Sequence, residues 1–216
     1  YVEKDIVSSA GIQKSRDFLQ VCKLLAARVG TLLNSSEIGS EVGVEQSTIR
    51  DWVSVLEKMK IIILAPAYSS NLTNRLVKRP KIYFSDTGLA VRLQGWSDPN
   101  TFVLSPASGL MFENLVVAEI YKTMKNYKKN WQIFHWRSRD DEEIDFLIEG
   151  ENQTKLFIEA KKSPQTPAKY LQYPVVKKIF KTKVPNLTLC HMEGSHPLQN
   201  VISISKLRDH LLANLD

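Results

Sequence analysis

Cysteine is scarce in this sequence. The 216 residues hold two, Cys22 and Cys190, each in an apolar segment with no second cysteine nearby. Disulfide frameworks and zinc sites both need clustered thiols, so neither is expected, and a reducing compartment such as the cytoplasm fits best. Long apolar runs are missing as well. The longest, Ile61–Ala65, stops at Pro66, far short of the roughly 20 residues a membrane-crossing helix needs, so no membrane partner is expected. There is no GxxxxGK[ST] loop to cradle a nucleotide phosphate. No internal repeat or low-complexity tract is present. The opening Tyr1-Val2-Glu3-Lys4-Asp5-Ile6 lacks an initiator methionine and any targeting character, which suggests a fragment of a longer protein.

What is present is an ordinary globular composition, 43% hydrophobic and 24% charged. This length supports one large domain or two small ones. The formal net charge of +6 permits a polyanionic partner without requiring one.

The first half reads as helical, then β. Phe18, Val21, Cys22, Leu25 and Val29 recur at helical spacing, and Gly30 is a plausible stop. Asn34 can cap a helix over Ser35–Val42 with Glu37 as its box partner, and Gly43-Val44 offers a tight turn. A third helix is expected from Gln46 to Lys60, burying Ile49, Val53, Leu56 and Met59 with Trp52 beside them. Strands follow at Ile61–Leu64 and Lys81–Phe84, separated in part by the basic stretch Asn74–Pro80. Three helices and two strands in this order give a winged helix-turn-helix over residues 1–95. Its third helix would present Gln46, Ser47, Arg50 and Ser54 outward, within reach of a major groove. Asp51 and Glu57 on the same helix repel phosphate, so protein docking stands beside DNA reading. Asp86 can cap a helix begun by Thr87, and the chain from there through Gly95 to Pro106 reads as a linker.

Residues 96–216 read as a second, α/β domain with a mixed sheet. A long helix is expected from Ser108 to Lys125, then strands at Trp131–Trp136, Glu143–Glu149 and Lys155–Ala160, with Gly150-Glu151-Asn152 as a hairpin turn. A helix at Ala168–Phe180, strands at Asn186–His191 and Val201–Ile204, and a closing helix at Lys206–Leu215 complete the expectation.

Two neighbouring strands carry the chemistry. Strict alternation sets Glu143 and Asp145 on one face of their strand, opposite Ile144, Phe146 and Ile148. Glu159 and Lys161 share a face with Phe157. The hairpin therefore brings Asp145, Glu159 and Lys161 to one rim. Clustered carboxylates resist burial, and a hard divalent cation resolves the conflict. Mg²⁺ or Mn²⁺ would take Asp145, Glu159 and the Ala160 carbonyl as ligands, lower the pKa of a bound water and stabilise charge on a phosphate. Lys161 would orient that water and oppose the developing negative charge. Glu113 on the preceding helix is a candidate fourth catalytic residue or a solvated helix residue. Glu143 is a further member or a partner of Arg137 or Arg139. His135 reads more as a strand residue than as a ligand. Lys162 and Arg137 extend a basic rim that could touch phosphate.

The spacing Asp145, then Glu159-Ala160-Lys161, is that of PD-(D/E)XK nucleases. With Tyr1–Ile6, Asn71–Lys81, Tyr83–Leu89, Gly109–Val116, Trp136-Arg137 and Glu143–Phe146, it resembles one family. That family is the uncharacterised C-terminal region following a AAA-type P-loop ATPase core in bacterial and archaeal proteins. The resemblance implies a winged helix followed by a restriction-endonuclease-like fold. It also implies ATP bound only by a separate N-terminal ATPase part, which would be a partner of this chain. DNA is the expected nucleic acid, and assembly into an oligomer stays open. The acidic loop Ser138-Arg139-Asp140-Asp141-Glu142 departs from a phosphate site. The rival expectations are a metal-dependent nuclease, a non-catalytic nucleic-acid-binding or regulatory module, and a structural coupling domain.

Overall fold

The structure, a computed structural model, describes residues 14–69, 78–137, 143–163, 180, 184–193, 196–198 and 200–215. The Tyr1–Ile6 motif, residues 74–77 of the basic stretch, the 138–142 loop and the expected helix over residues 168–179 lie outside that set.

Helix α1 (Ser15–Ala27) buries Phe18, Val21, Cys22, Leu25 and Ala26, the stripe its spacing dictates. Helix α2 (Ser35–Val42) is capped by Asn34, whose side chain accepts from the Glu37 amide and donates to the Glu37 carboxylate at 2.9 Å. Gly43 ends it in the left-handed region at φ +79°, where a side chain would be strained. Helix α3 (Gln46–Lys58) buries Ile49, Trp52, Val53 and Leu56. Strands β1 (Ile62–Ala65) and β2 (Lys81–Phe84) pair antiparallel. Asp86 caps α4 (Thr87–Leu93) through the Leu89 amide at 3.0 Å.

The segment expected to be a bare linker contains a helix, α5 (Pro99–Leu104). Asp98 caps it by accepting from the Asn100 and Thr101 amides, and Pro99 sits where its missing N–H costs nothing. Helix α6 (Ala107–Asn126) is the longest element. A five-stranded sheet then runs in order β3 (Gln132–Arg137), β4 (Glu143–Glu149), β5 (Lys155–Lys161), β6 (Asn186–Cys190), β7 (Val201–Ser203). The first two pairings are antiparallel and the last two parallel, so the sheet is mixed. Helix α7 (Leu207–Leu215) closes the described chain.

The two halves share one apolar core. A single cluster runs from Phe18 and Leu56 through Tyr83 and Phe84 to Phe112, Phe146 and Leu211. Tyr83 meets Phe146 edge to face at 5.7 Å between centroids. Asn114 of α6, fully buried, accepts from the Phe84 amide at 2.7 Å and donates to the Phe84 carbonyl and Thr87 hydroxyl at 3.0 Å. Beyond β1, the chain also borders the sheet: the Tyr68 amide donates to the His135 carbonyl and the His135 amide to the Pro66 carbonyl. The boundary expected near residue 95 therefore separates segments of sequence whose cores are continuous.

One irregularity decides where the site residues point. On β3, Phe134 pairs with Leu147 but Trp136 pairs with Ile144, so His135 alone faces Asp145 and Phe146. That is a β-bulge, and it breaks the period of two. Ile144 and Leu147 consequently pack on one side with Phe134, Trp136 and Phe157, while Phe146 and Ile148 join the main core. The alternation that grouped Ile144 with Phe146 does not hold across this bulge.

Candidate active site

The β4–β5 ladder ends at Phe146 opposite Ile158. One step further, where a main-chain partner would be due, the Ala160 amide donates to the Asp145 carboxylate at 2.9 Å. The bulge thus turns an acid of one strand onto the backbone of the next. In a strand, a residue's N–H and C=O point to the same edge, so the Ala160 carbonyl points to the β4 edge of β5 as well. Glu159 and Lys161, flanking Ala160, form an ion pair.

Helix α6 supplies Glu113, and strand β2 of the first half supplies its partners. Tyr83, wholly buried, donates its hydroxyl to Glu113 Oε1 at 2.6 Å. Lys81 Nζ lies 2.6 Å from Glu143 Oε1 and 3.5 Å from Glu113 Oε1. Gly30, at φ +77°, passes close by: a Cβ there would meet Leu110 Cδ2 at 3.3 Å and Glu113 Oε1 at 3.6 Å. Four carboxylates, Glu113, Glu143, Asp145 and Glu159, and two ammonium groups, Lys81 and Lys161, thereby lie within electrostatic reach of one another.

The charge imbalance shows in the titration of the acids. Burial, then the charge of Asp145, pushes Glu159 up from 4.5 to about 7. The same two causes raise Glu113. Asp145 is raised by burial even though the Ala160 amide and Lys161 oppose it. Burial disfavours the Lys161 and Lys81 ammonium forms, but the surrounding carboxylates hold both above the ordinary lysine value. All three acids therefore hold their protons to a higher pH than they would in bulk water.

Of the residues expected in the site, Asp145, Glu159, Ala160, Lys161 and Glu113 come together, and Glu143 joins them through Lys81. Gln46, Ser47 and Arg50 are exposed on the opening turns of α3, and Arg137 is exposed at the end of β3. Lys162 is engaged within the protein: its ammonium donates to the Val103 carbonyl and to the Ser108 hydroxyl, the latter at 2.9 Å, tying β5 to α5 and α6. His135 is buried, with Nε2 3.4 Å from the Arg79 carbonyl. Burial, and then Lys81, drives it down to about 4, so it is neutral at pH 7.

Lys81 and Tyr83 are the site neighbours that sequence reasoning missed. A signal existed. Alternation in Lys81-Ile82-Tyr83-Phe84 puts both on one face, and all four residues are buried, an unusual setting for a lysine without partners.

The donor set suits a hard cation: two carboxylates and a main-chain carbonyl, all oxygen. Among the described residues, no three His, Cys, Asp or Glu side chains are grouped to hold one ion. The fit therefore rests on Asp145 and Glu159 completed by the Ala160 carbonyl. Among the described residues no helix is long and apolar enough to cross a membrane.

No solved structure matches this chain. An uncharacterized protein of Mycobacterium tuberculosis, Rv2008c, and one of Mycobacterium bovis, Mb2031c, are each 24% identical over 149 residues. The match covers 69% of this chain and 33% of each relative, so it spans a third of the length of these curated proteins. Residues 1–100 match the family described as a domain of unknown function, DUF8612. Residues 108–207, which carry α6 and the five-stranded sheet, match a second domain of unknown function, DUF4143.

Proposed function

We propose that this chain is the C-terminal part of a AAA-type ATP-binding protein and carries a Mg²⁺- or Mn²⁺-dependent phosphodiesterase site of PD-(D/E)XK type, acting on DNA. The observation that carries this reading is the bond from the Ala160 amide to Asp145. It sets one acid against the Glu159-Ala160-Lys161 segment, where burial raises the carboxyl groups above their ordinary range. The occurrence of DUF4143 in AAA-ATPase-associated proteins supports the ATPase connection.

Asp145, Glu159 and the Ala160 carbonyl would hold the cation. When bound, it would supply an acidified water and neutralise charge on the scissile phosphate. The chain's own groups do the rest. Lys161, kept charged by its carboxylate neighbours, holds positive charge where negative charge accumulates during attack. The Ala160 amide fixes the orientation of Asp145. The first half, with the three-helix and two-strand order of a winged helix, would offer Gln46, Ser47 and Arg50 to the duplex, and Arg137 would border the phosphate path.

The test is cleavage. The chain, within its full-length parent and with Mg²⁺ or Mn²⁺ and ATP, should nick or degrade DNA. Asp145→Ala and Lys161→Ala should each lower the rate by at least about a hundredfold, the range expected for one lost charge-stabilising group. If every form of DNA and RNA survives intact under these conditions, the nuclease reading fails.

A second reading has a specific observation behind it. Glu113 and Glu143 share an ion pair with Lys81, and Glu159 pairs with Lys161. A site so internally paired could serve a non-catalytic nucleic-acid-binding or docking module of the ATPase. Salt-dependent DNA affinity that survives Asp145→Ala, without cleavage, would favour it.

A further inference from the structure

One buried polar group stands beside the site without a use in it. Thr188, at the middle of β6, is wholly buried, and its hydroxyl has no hydrogen-bond partner. A hydroxyl in that state costs free energy that a partner would recover. Its place in the sheet is fixed. Thr188 pairs in parallel register with Glu159, on strands about 4.8 Å apart. Its neighbours Leu187 and Leu189 join the main core with Ile158. Thr188 therefore faces the other way, to the side that carries Phe157 and, by alternation, Glu159 and Lys161. Cys190 and Ser203 share that side and are occupied: the Cys190 thiol donates to the Ile202 carbonyl at 3.6 Å, and the Ser203 hydroxyl accepts from Ser205 at 3.1 Å.

Glu159 is 8% exposed, and its Oε1 is held by the Lys161 ammonium. The side chain of Lys161 is 37% exposed, so it can swing toward an anion arriving from solvent where Glu159 cannot follow. A lysine that turned to a phosphate would strand a buried carboxylate, which is strongly unfavourable. The hydroxyl in register with Glu159 meets that need. Because a hydroxyl both donates and accepts, it suits either protonation state of the acid. We propose that Thr188 is a positioning residue that exchanges with Lys161: when Lys161 leaves Glu159 for the substrate phosphate, the Thr188 hydroxyl pairs with Glu159 and keeps it in place. This rests on the reading of Lys161 as the group that opposes negative charge on the phosphate. It adds the partner that lets Lys161 go.

The experiment is a double-mutant cycle in urea denaturation of the whole chain. Lys161→Met imitates the departed lysine, and Thr188→Val replaces the hydroxyl with a methyl at nearly the same shape. In the wild-type background Thr188→Val should leave the folding equilibrium constant unchanged or raise it, because the hydroxyl it removes is unpaired. In the Lys161→Met background it should lower that constant about tenfold, the loss of one hydrogen bond to Glu159. Thr188→Ser, which keeps the hydroxyl, should have the same effect in both backgrounds. A crystal structure of Lys161→Met should place Thr188 Oγ1 within about 3 Å of a Glu159 carboxyl oxygen. Equal effects of Thr188→Val in the two backgrounds, or a Thr188 hydroxyl still unpaired in Lys161→Met, would overturn the proposal. If the double variant does not fold, the crystal structure of Lys161→Met decides. None of these readouts needs cleavage, so a failure of the nuclease reading shows separately, in the cleavage assay.

Discussion

Replacing Glu159 with glutamine should stabilise the protein at alkaline pH, an unusual outcome for a residue in an ion pair. Glu159 is 8% exposed, and its carboxyl is raised from 4.5 to about 7 by burial and by Asp145, despite the help of Lys161. An acid whose folded value lies above its unfolded value binds more protons when folded. Stability then falls as pH rises between the two values. The cost is absent below about 4.5, grows through the window and is complete above about 7. At about 1.4 kcal/mol per unit, the rise from 4.5 to about 7 amounts to about 3 kcal/mol. Glutamine mimics the protonated form at every pH. Urea denaturation at pH 4 and pH 8 should therefore show near-equal stability at pH 4 and a variant about 3 kcal/mol more stable at pH 8. Added Mg²⁺ should narrow the gap at pH 8 by stabilising only the wild type. A variant less stable than wild type at pH 8, or a gap independent of pH, would refute the argument that uncompensated charge strains this cluster.

Three further outcomes follow from the same geometry. His135 is held at about 4, below its ordinary 6.5, so the folded state binds fewer protons than the unfolded state between those values. Its contribution is present above about 6.5 and is lost as pH falls toward 4, a change of about 3 kcal/mol. The stability difference between wild type and His135→Gln, measured by denaturation across that window, should shift accordingly, and a flat difference would contradict it. Asn114→Ala removes three buried hydrogen bonds that seat α6 on β2 and α4 and leaves the Phe84 polar groups without them. It should cost about 3 kcal/mol, visible as a lowered urea midpoint with the slope unchanged. Gly30→Ala should cost about 1–2 kcal/mol by the same assay, because φ +77° strains any side chain and the new methyl crowds Leu110.

Local signals made much of the fold legible. Asn34 and Asp86 were readable as caps because a short polar side chain ahead of an amphipathic stretch has few other uses. The hydrophobic period located α1, α3 and α6, and the hairpin around residue 150 followed from its turn residues. The faces of β4 were harder. A bulge inserts one residue into the ladder, and nothing in Glu143-Ile144-Asp145-Phe146 marks where that happens. It shows only in the pairing, where Asp145 and Phe146 together stand opposite His135. Helix α5 was hidden because six residues carry too little periodicity to stand out. The link from Lys81 and Tyr83 to Glu113 spans some thirty positions, and a contact of that range leaves no local pattern. The acid–lysine core of the site was visible because its members lie on adjacent strands; its connection to the first half was not.

Asp145, Glu159 and the Ala160 carbonyl are proposed to grip a divalent ion. This is tested most directly by amide NMR of the chain during Mn²⁺ addition, with Asp145→Asn alongside. The account predicts saturable paramagnetic broadening centred on residues 145 and 159–161 in the wild type and its loss in the variant. Broadening that spares those amides, or that persists undiminished in Asp145→Asn, would contradict it.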